Sequence, residues 1–440
     1  MDEKRSFENF FDSISLDSLS EYQSSIESLT KLLNKKYYDS DSVDDHCLVV
    51  GSVGRQTAVS ETSDLDLLFV LPQEVYTRFN AYDSNGQSAL LQEVKKTIKS
   101  RYPKTDIKGD GQAVVINFTD RFYSIDLVPA FEQDDGSFKF PDSNDGGSWK
   151  KTDPIPEQDA CSVLFERTDG DGKRLCNALR VWKNTLGFHF KGLLIDTLVN
   201  SFYNQKDRSS DPYDLLSDLF KYLSEQDREQ SFWHALGSNQ QVTNDDNGAF
   251  VPKAKKAHGK LIDATSSDEK EQVLIDLFGK PFSEAVVDGS SDSEEAQFAS
   301  KYGVAIDERF VEDQFKVDIR RSMEIDCQVI QHGFRPSLLR DMLAGHCPLL
   351  RKRSLHFFVV NAASFRDCAF YWKVRNRGEA AFQRNCIRGE IQRGNKDGFH
   401  DERTDFVGPH YVECYAVRNG VCIARSRICL LYTSPSPRDV

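Results

Sequence analysis

A glycine-serine turn, Gly51-Ser52, followed after eleven intervening residues by Asp64-Leu65-Asp66, narrows what this chain can fold into more than any other stretch. The run Asp64-Leu-Asp66-Leu-Leu-Phe-Val70 reads as a strand that enters a core. In a strand, residues i and i+2 leave the same face, so Asp64 and Asp66 share one side while Leu65 and Leu67 take the other. Gly51 and Gly54 permit positive φ and close backbone approach. A turn of this kind beside paired carboxylates suits the grip of a triphosphate tail with divalent metal alongside. An exposed loop and a solvated strand end would look the same.

A third carboxylate separates the two readings. Phe122-Tyr-Ser-Ile-Asp126-Leu-Val-Pro129-Ala-Phe131 is a β-type run with one acid among apolar residues. Burying that acid is costly unless a cation or hydrogen bonds answer it. Three aspartates at one end of a sheet repel one another unless metal neutralises them. Asp64, Asp66 and Asp126 are therefore the candidate catalytic and metal-binding residues. Mg2+ suits them, because it takes few carboxylates together with phosphate oxygens and waters. Two ions are expected, with Mn2+ as a substitute.

Gly-Ser, a gap of about a dozen residues, Asp-x-Asp and a later strand Asp together resemble the polymerase-β-like nucleotidyltransferases. The longer match, Gly51-Ser-Val-Gly-Arg-Gln-Thr-Ala-Val with Ser63-Asp-Leu-Asp-Leu, resembles the CD-NTases more narrowly. These are bacterial relatives of cGAS and the oligoadenylate synthases, which make cyclic oligonucleotide signals in antiphage (CBASS) systems. The likeness runs on through Asp126-Leu-Val-Pro-Ala-Phe, Phe140-Pro-Asp, Gly147-Ser-Trp-Lys-Lys-Thr-Asp-Pro154 and Leu179-Arg-Val-Trp-Lys183, over roughly the first 285 residues. Residues about 315–428 resemble AGS-C, a sensor domain, through Tyr371-Trp-Lys-Val-Arg-Asn-Arg-Gly-Glu-Ala, Arg388-Gly-Glu, His400 with Glu402 and Thr404, and Gly408-Pro-His-Tyr-Val-Glu-Cys-Tyr415.

The resemblance implies an α+β chain: a polymerase-β-like nucleotidyltransferase core with a helical lobe, followed by a small all-β sandwich-like domain. It implies attack of a ribose hydroxyl on an α-phosphate, with ATP and other nucleoside triphosphates as substrates and a cyclic oligonucleotide as product. It places Gly51 and Ser52 on the phosphates, Thr57 on the acceptor side and Lys183 on the triphosphate. A solvated helical lysine is the alternative at Lys183. Lys191 is a further nucleotide-binding candidate, although Gly192 stands where the family often has serine. Arg55 could neutralise phosphate or cap its loop, and Trp149 and Tyr203 could stack on a base or simply be buried.

The chain's 440 residues allow two or three domains. No apolar run is long enough to span a bilayer and the N-terminus lacks a signal-peptide core, so a cytoplasmic location and no membrane partner are expected. Ten cysteines without a Cys-x-x-Cys pair fit a reducing compartment. A net charge of −13 argues against stable nucleic-acid binding. The segment from Phe310 onward is roughly +6 and the rest roughly −19, so the C-terminal body is the better holder of an anionic ligand. A regulatory partner protein or ligand is expected there.

Periodicity predicts a helix over 6–36, strands at His46–Val50 and Leu65–Leu71, a helix over 87–101, and strands Ala113–Phe118 and Phe122–Ala130. Helices follow at Gly170–Thr185, at Lys191–Tyr203, from an Asp211 cap to about Ser224, and at Ser267–Phe278, with a polar loop over Gly237–Gly248. Short alternating strands begin near Phe315. The expected domains are 1–160 catalytic core, 161–285 helical lobe, 286–313 linker and 314–428 β sensor, with 429–440 a non-native, adapter-derived tail. Zinc at His400, His410, Glu413 and Cys414 is not expected, because the spacing fits no usual pattern. Lys373, Arg375, Arg377 and Arg388 form either an anion-binding face or a solvated one. Two rivals stay open: a nucleotidyltransferase acting on an RNA end or a protein, and a non-catalytic nucleotide sensor.

Overall fold

The computed structural model describes residues 3–16, 20–118, 123–205, 209, 211–287, 309–330, 333, 335–345, 347, 353–376, 388–395, 398–403 and 410–430. They gather into two compact bodies: Phe11–Val181 with Phe190–Asp263, and Met1–Phe10 with Trp182–His189 and Ala264–Val440. The stretch expected as one helical lobe is thus divided between them. No helix among the described residues is long and apolar enough to cross a membrane.

The helix expected over 6–36 forms as α1 (Glu3–Ile14) and α2 (Ser20–Tyr37), with 17–19 outside the described residues. The first body then runs β1 (Cys47–Val49), a single turn α3 (Gly51–Gly54), β2 (Asp64–Val70), α4 (Gln73–Asn80) and α5 (Gly86–Arg101). It continues through β3 (Asp106–Asp110), β4 (Ala113–Phe118), β5 (Tyr123–Glu132), β6 (Phe138–Asp142) and β7 (Ser148–Thr152). The strands form a mixed sheet in the order β1-β2-β5-β4-β3, with β6 on β5 and β7 on β6. Of its pairs, β2–β5 is parallel, so the two aspartate strands run side by side in the same direction. Leu65, Leu67, Ile125 and Leu127 bury the opposite face in a core shared with Leu29 and Leu33 of α2 and Leu90, Val94 and Ile98 of α5. That burial fixes register, because a slip by one residue would turn every aspartate inward.

The helices of this body are α6 (Pro154–Arg167), most of α7 (Asp171–Leu186), α8 (Gly192–Tyr203), α9 (Pro212–Ser224) and α10 (Phe250–Asp263). Asp211 caps α9 as its position predicts, accepting from the backbone N–H groups of Tyr213 and Asp214 at 3.0 and 3.1 Å. The expected polar loop holds a strand: β9 (Gln241–Thr243) pairs with β8 (Phe232–His234).

In the second body, α11 (Ser267–Phe278) starts from a capping box of Ser266 and Glu269, and α12 (Lys280–Val287) follows Gly279. Phe7 and Phe10 of α1 pack on Phe282 and Phe278 with ring centroids 5.6 and 5.0 Å apart. The strands are β10 (Lys316–Val317), β11 (Ile325–Ile330), β12 (Ser337–Leu338), β13 (Ser354–Val359), β14 (Ala369–Asn376), β15 (Ile391–Arg393), β16 (His400–Arg403), β17 (His410–Arg418) and β18 (Val421–Leu430), with a short helix α13 (Leu339–Ala344) after β12. One sheet has the order β10-β18-β17-β14-β15 and the other β12-β11-β13-β16. Cys327 and Phe357 from the second meet Trp372, Val412 and Cys414 from the first in a single core, which makes this a small sandwich. The β18 pairing continues to Leu430, two residues beyond the expected end at Ile428; residues 431–440, the rest of the supposed tail, lie outside the described residues, as does the expected Asn376-Arg-Gly378 turn beyond Asn376.

Candidate active site

Register brings the acidic residues together. Asp66 of β2 stands directly opposite Asp126 of β5, and Asp64 opposite Ser124. Parallel neighbours in register leave the same face, and adjacent strands are about 4.8 Å apart. Asp66 and Asp126 are therefore side by side, with Asp64 one pleat farther along. All three are half-buried. Among the described residues no three His, Cys, Asp or Glu side chains are closed into a metal cage; the aspartates share a face, not a finished coordination sphere.

The glycine turn lies against this face. Gly51 has φ +65°, and a Cβ built on it would fall 1.9 Å from Asp66 Oδ2. No other residue type fits there without moving the carboxylate. Gly54 is similarly confined, its absent Cβ lying 2.5 Å from the Val49 carbonyl. The Ser52 carbonyl accepts from the Thr57 N–H at 2.9 Å, which closes the turn. An all-oxygen donor set of carboxylates beside a glycine turn is the chemistry that would suit a hard divalent cation. Asp64, Asp66 and Asp126 are the residues that fit Mg2+ or Mn2+.

Several expected contacts are placed elsewhere. Arg55, read as a phosphate ligand or a loop cap, is buried and points into the body. Its Nε donates to Asp196 Oδ2 at 2.8 Å, and Nη1 lies 3.9 Å from Glu157. Thr57, expected on the acceptor side, is fully buried and donates to the same oxygen at 3.1 Å. Arg180 grips Asp196 with two nitrogens at 2.8 and 2.9 Å. Burial alone would push the Asp196 carboxyl up, but Arg180 and Arg55 hold it below its ordinary value. Burial raises Glu157, with Arg55 opposing. Arg55, Thr57, Arg180 and Asp196 thus tie the loop after α3 to α7 and α8.

Lys183, expected on the triphosphate, belongs to the other body. Its ammonium donates to the Ile319 carbonyl at 2.6 Å and to Asn184 Oδ1 at 3.0 Å, with Asp318 3.9 Å away. Lys191 caps the start of α8, and its ammonium reaches the Thr243 carbonyl and hydroxyl at 2.9 and 2.7 Å and pairs with Asp245. Trp149 joins a packed cluster with Tyr76 and Phe131 and donates to Asn80 Oδ1 at 3.0 Å. Tyr203 is buried against Phe202. In the second body His410, Glu413 and Cys414 are buried strand residues.

Asp196 is the residue that sequence reasoning missed. Its signal was present: one acid inside the apolar helical run Gly192-Leu-Leu-Ile-Asp196-Thr-Leu-Val, which demands a cationic partner.

Residues 1–163 match the Second Messenger Oligonucleotide or Dinucleotide Synthetase (SMODS) domain, and residues 306–430 match the Adenylyl/Guanylyl and SMODS C-terminal sensor domain. A Bacillus cereus (strain VD146) protein named as a probable cyclic nucleotide synthase is 21% identical over 201 residues, 39% of this chain. The chain spans 60% of that relative's length. Among solved structures, CdnC of E. coli MS115-1 with ATP is 16% identical, over 64% of this chain and 99% of that one, with a TM-score of 0.49. The CdnE cyclic dinucleotide synthase of Elizabethkingia meningoseptica, with GTP and Apcpp, is 14% identical over 59% and 99%, with a TM-score of 0.45.

Proposed function

We propose, for a chain that carries a SMODS domain of the CD-NTase family joined to an AGS-C sensor domain, that the aspartate face of β2 and β5 transfers nucleotidyl groups and yields a cyclic oligonucleotide. The observation that carries this is the Asp66–Asp126 register with Gly51 pressed against Asp66. Two half-buried carboxylates held side by side on adjacent strands repel each other and cost stability without a cation.

Two Mg2+ ions held by Asp64, Asp66 and Asp126 would supply charge neutralisation for the attacking and leaving oxygens. The chain's own residues do the rest. Backbone N–H groups of the Gly51–Ser52 turn and the Ser52 hydroxyl hold the terminal phosphates. Asp126 takes the proton of the acceptor ribose hydroxyl as its oxygen bonds to the α-phosphorus. The bond from that phosphorus to the bridging oxygen breaks, and pyrophosphate leaves. A second such step on the same product closes the ring. Arg55, Thr57, Arg180 and Asp196 act as a frame for the turn and touch no reacting atom. ATP, alone or with a second nucleotide, is the proposed substrate.

The test is incubation with Mg2+ and all four ribonucleoside triphosphates, followed by mass spectrometry of phosphatase-resistant products. A cyclic product that disappears in the double variant Asp64→Ala/Asp66→Ala, with melting temperature unchanged or raised, supports the proposal. Turnover retained in that variant, or a linear product alone, refutes it.

A further inference from the structure

The Gly51–Ser52 turn hangs from one peptide group, the one that joins Val49 to Val50. It is trans, so its N–H and C=O point to opposite sides. The Val50 N–H donates to the Asp66 carbonyl at 2.9 Å, which ties the entry of the turn to the strand that carries two of the three aspartates. The Val49 carbonyl therefore faces away from β2. Because β1 ends its sheet, a donor for that carbonyl has to come from outside the strands. A partly buried carbonyl left without one costs stability.

The donor is Gln158 of α6, whose Nε2 reaches the Val49 oxygen at 2.9 Å. The contact is shaped from the turn side as well. A Cβ built on Gly54 would fall 2.5 Å from the Val49 oxygen and 2.6 Å from Gln158 Nε2. Gly54 does not take a positive φ, so the place calls for an absent side chain rather than for backbone freedom. Its N–H then donates to the Val50 carbonyl at 3.0 Å, which starts α3.

The preceding residue of α6 meets the other end of the turn. Arg55 closes α3, and its Nη1 lies 3.9 Å from Glu157 Oε2. Successive residues on a helix diverge by about 100°, which lets Glu157 and Gln158 reach the two ends of a turn four residues long. The first turn of α6 is itself located from behind. The Ser238 hydroxyl donates to Glu157 Oε1 at 3.1 Å, and a Cβ on Gly237 would fall 2.0 Å from the Pro156 carbonyl oxygen.

We propose that Gln158 is a positioning residue of the nucleotidyl-transfer site, an inference that deepens the function proposed above and rests on it. Gln158 acts through the Val49–Val50 peptide and sets where Gly51 and Ser52 stand against Asp66. There is little slack in that setting, since a Cβ on Gly51 would already collide with Asp66 Oδ2. Without the Gln158 amide the peptide is pinned from the β2 side alone, and the turn that follows can swing. In the proposed reaction this turn grips phosphates and takes no proton. Losing Gln158 therefore weakens the hold on the triphosphate more than it slows the chemical step.

The test compares Gln158→Met, which keeps the reach and removes the donor, with Tyr38→Phe, both in the full chain. Tyr38 donates to the Val70 carbonyl at 3.0 Å, so the control loses one side-chain bond to a strand carbonyl at the far end of β2. Both variants should lose a similar few degrees of melting temperature, about 2–4 °C. Calorimetry with Mg2+ and α,β-methylene-ATP, whose α–β bridge does not break, should show binding about five- to tenfold weaker in Gln158→Met and within about twofold of the parent in Tyr38→Phe. KM for ATP should rise in step, with kcat held within about threefold. Hydrogen exchange without metal or nucleotide should quicken about fivefold at the Gly54–Thr57 amides of Gln158→Met and stay at the parent rate in β5. Gln158→Asn, whose arm is one methylene short, carries the same expectations should methionine disturb α6. A parent that releases no pyrophosphate contradicts the proposed reaction alone, and the exchange rates still decide the role of Gln158. Exchange at the parent rate in the turn of Gln158→Met, or an affinity that falls equally in both variants, overturns the positioning role.

Discussion

Replacing Gly51 with alanine isolates the closest approach in the candidate active site. Two costs are separable. At φ +65° an L-residue sits in the left-handed region, which costs about 1–2 kcal/mol. The added Cβ would also meet Asp66 Oδ2 at 1.9 Å, well inside any real carbon–oxygen contact, so the carboxylate has to withdraw by roughly 1 Å or more. A displacement of that size at a reacting centre costs on the order of a hundredfold in rate. Gly136 supplies the control. It has φ +80° and nothing within 4 Å of where its Cβ would stand. Gly136→Ala therefore incurs the backbone strain without the collision. Both variants should melt a few degrees below the parent, at about 2–4 °C for each kcal/mol in a body of this size. Only Gly51→Ala should lose pyrophosphate release at saturating triphosphate, by about a hundredfold. If its turnover stays within about threefold of Gly136→Ala, the carboxylate either tolerates the shift or takes no part, and the assignment of Asp66 fails.

Asp196→Asn should destabilise the first body by about 3–5 kcal/mol, because Arg55 and Arg180 are left buried around an uncharged amide; chemical denaturation reads this directly. Asp196 has a folded pKa below its unfolded value, so its stabilisation is complete above about pH 4 and is lost as pH falls through the folded pKa. The parent should therefore lose stability on acidification below about pH 4 more steeply than Asp196→Asn, and parallel acid titrations would contradict this. Lys183→Met should cost about 1–3 kcal/mol through the orphaned Ile319 carbonyl while leaving KM for ATP within about twofold. A tenfold rise in KM at unchanged stability would return Lys183 to the triphosphate.

How much of this could be read from residues alone depended on the range over which each contact acts. The turn at Gly51, the two-residue spacing of Asp64 and Asp66, and the Asp211 cap are local geometry, and local geometry is written in adjacent letters. The common face of Asp66 and Asp126 was recoverable because both strands carry apolar residues on the opposite side, and a one-residue slip would turn the acids inward. The fate of the cations was not recoverable. Arg55 and Asp196 lie 141 residues apart, and nothing near Arg55 says whether it will meet phosphate or a carboxylate. The Lys183 acceptor, the Ile319 carbonyl, is a backbone group that any residue could have offered. The shorter elements β3, β6 and β7 escaped because Gly, Pro, Asp and Lys dilute their alternation, and pairing rather than propensity sustains them.

The second body carries the same limit into function. Lys373, Arg375, Arg425 and Arg427 alternate with apolar residues in a pattern that a solvated strand face produces equally well. What distinguishes the two cases is a roof, and the roof here comes from α11 and α12, which precede β14 by about a hundred residues. Lys373, Arg375 and Arg425 are buried there, and that burial alters what Glu413 has to do. It becomes the shared counter-ion of Arg425 and Arg427, whereas on an open face it would have been one exposed carboxylate among many.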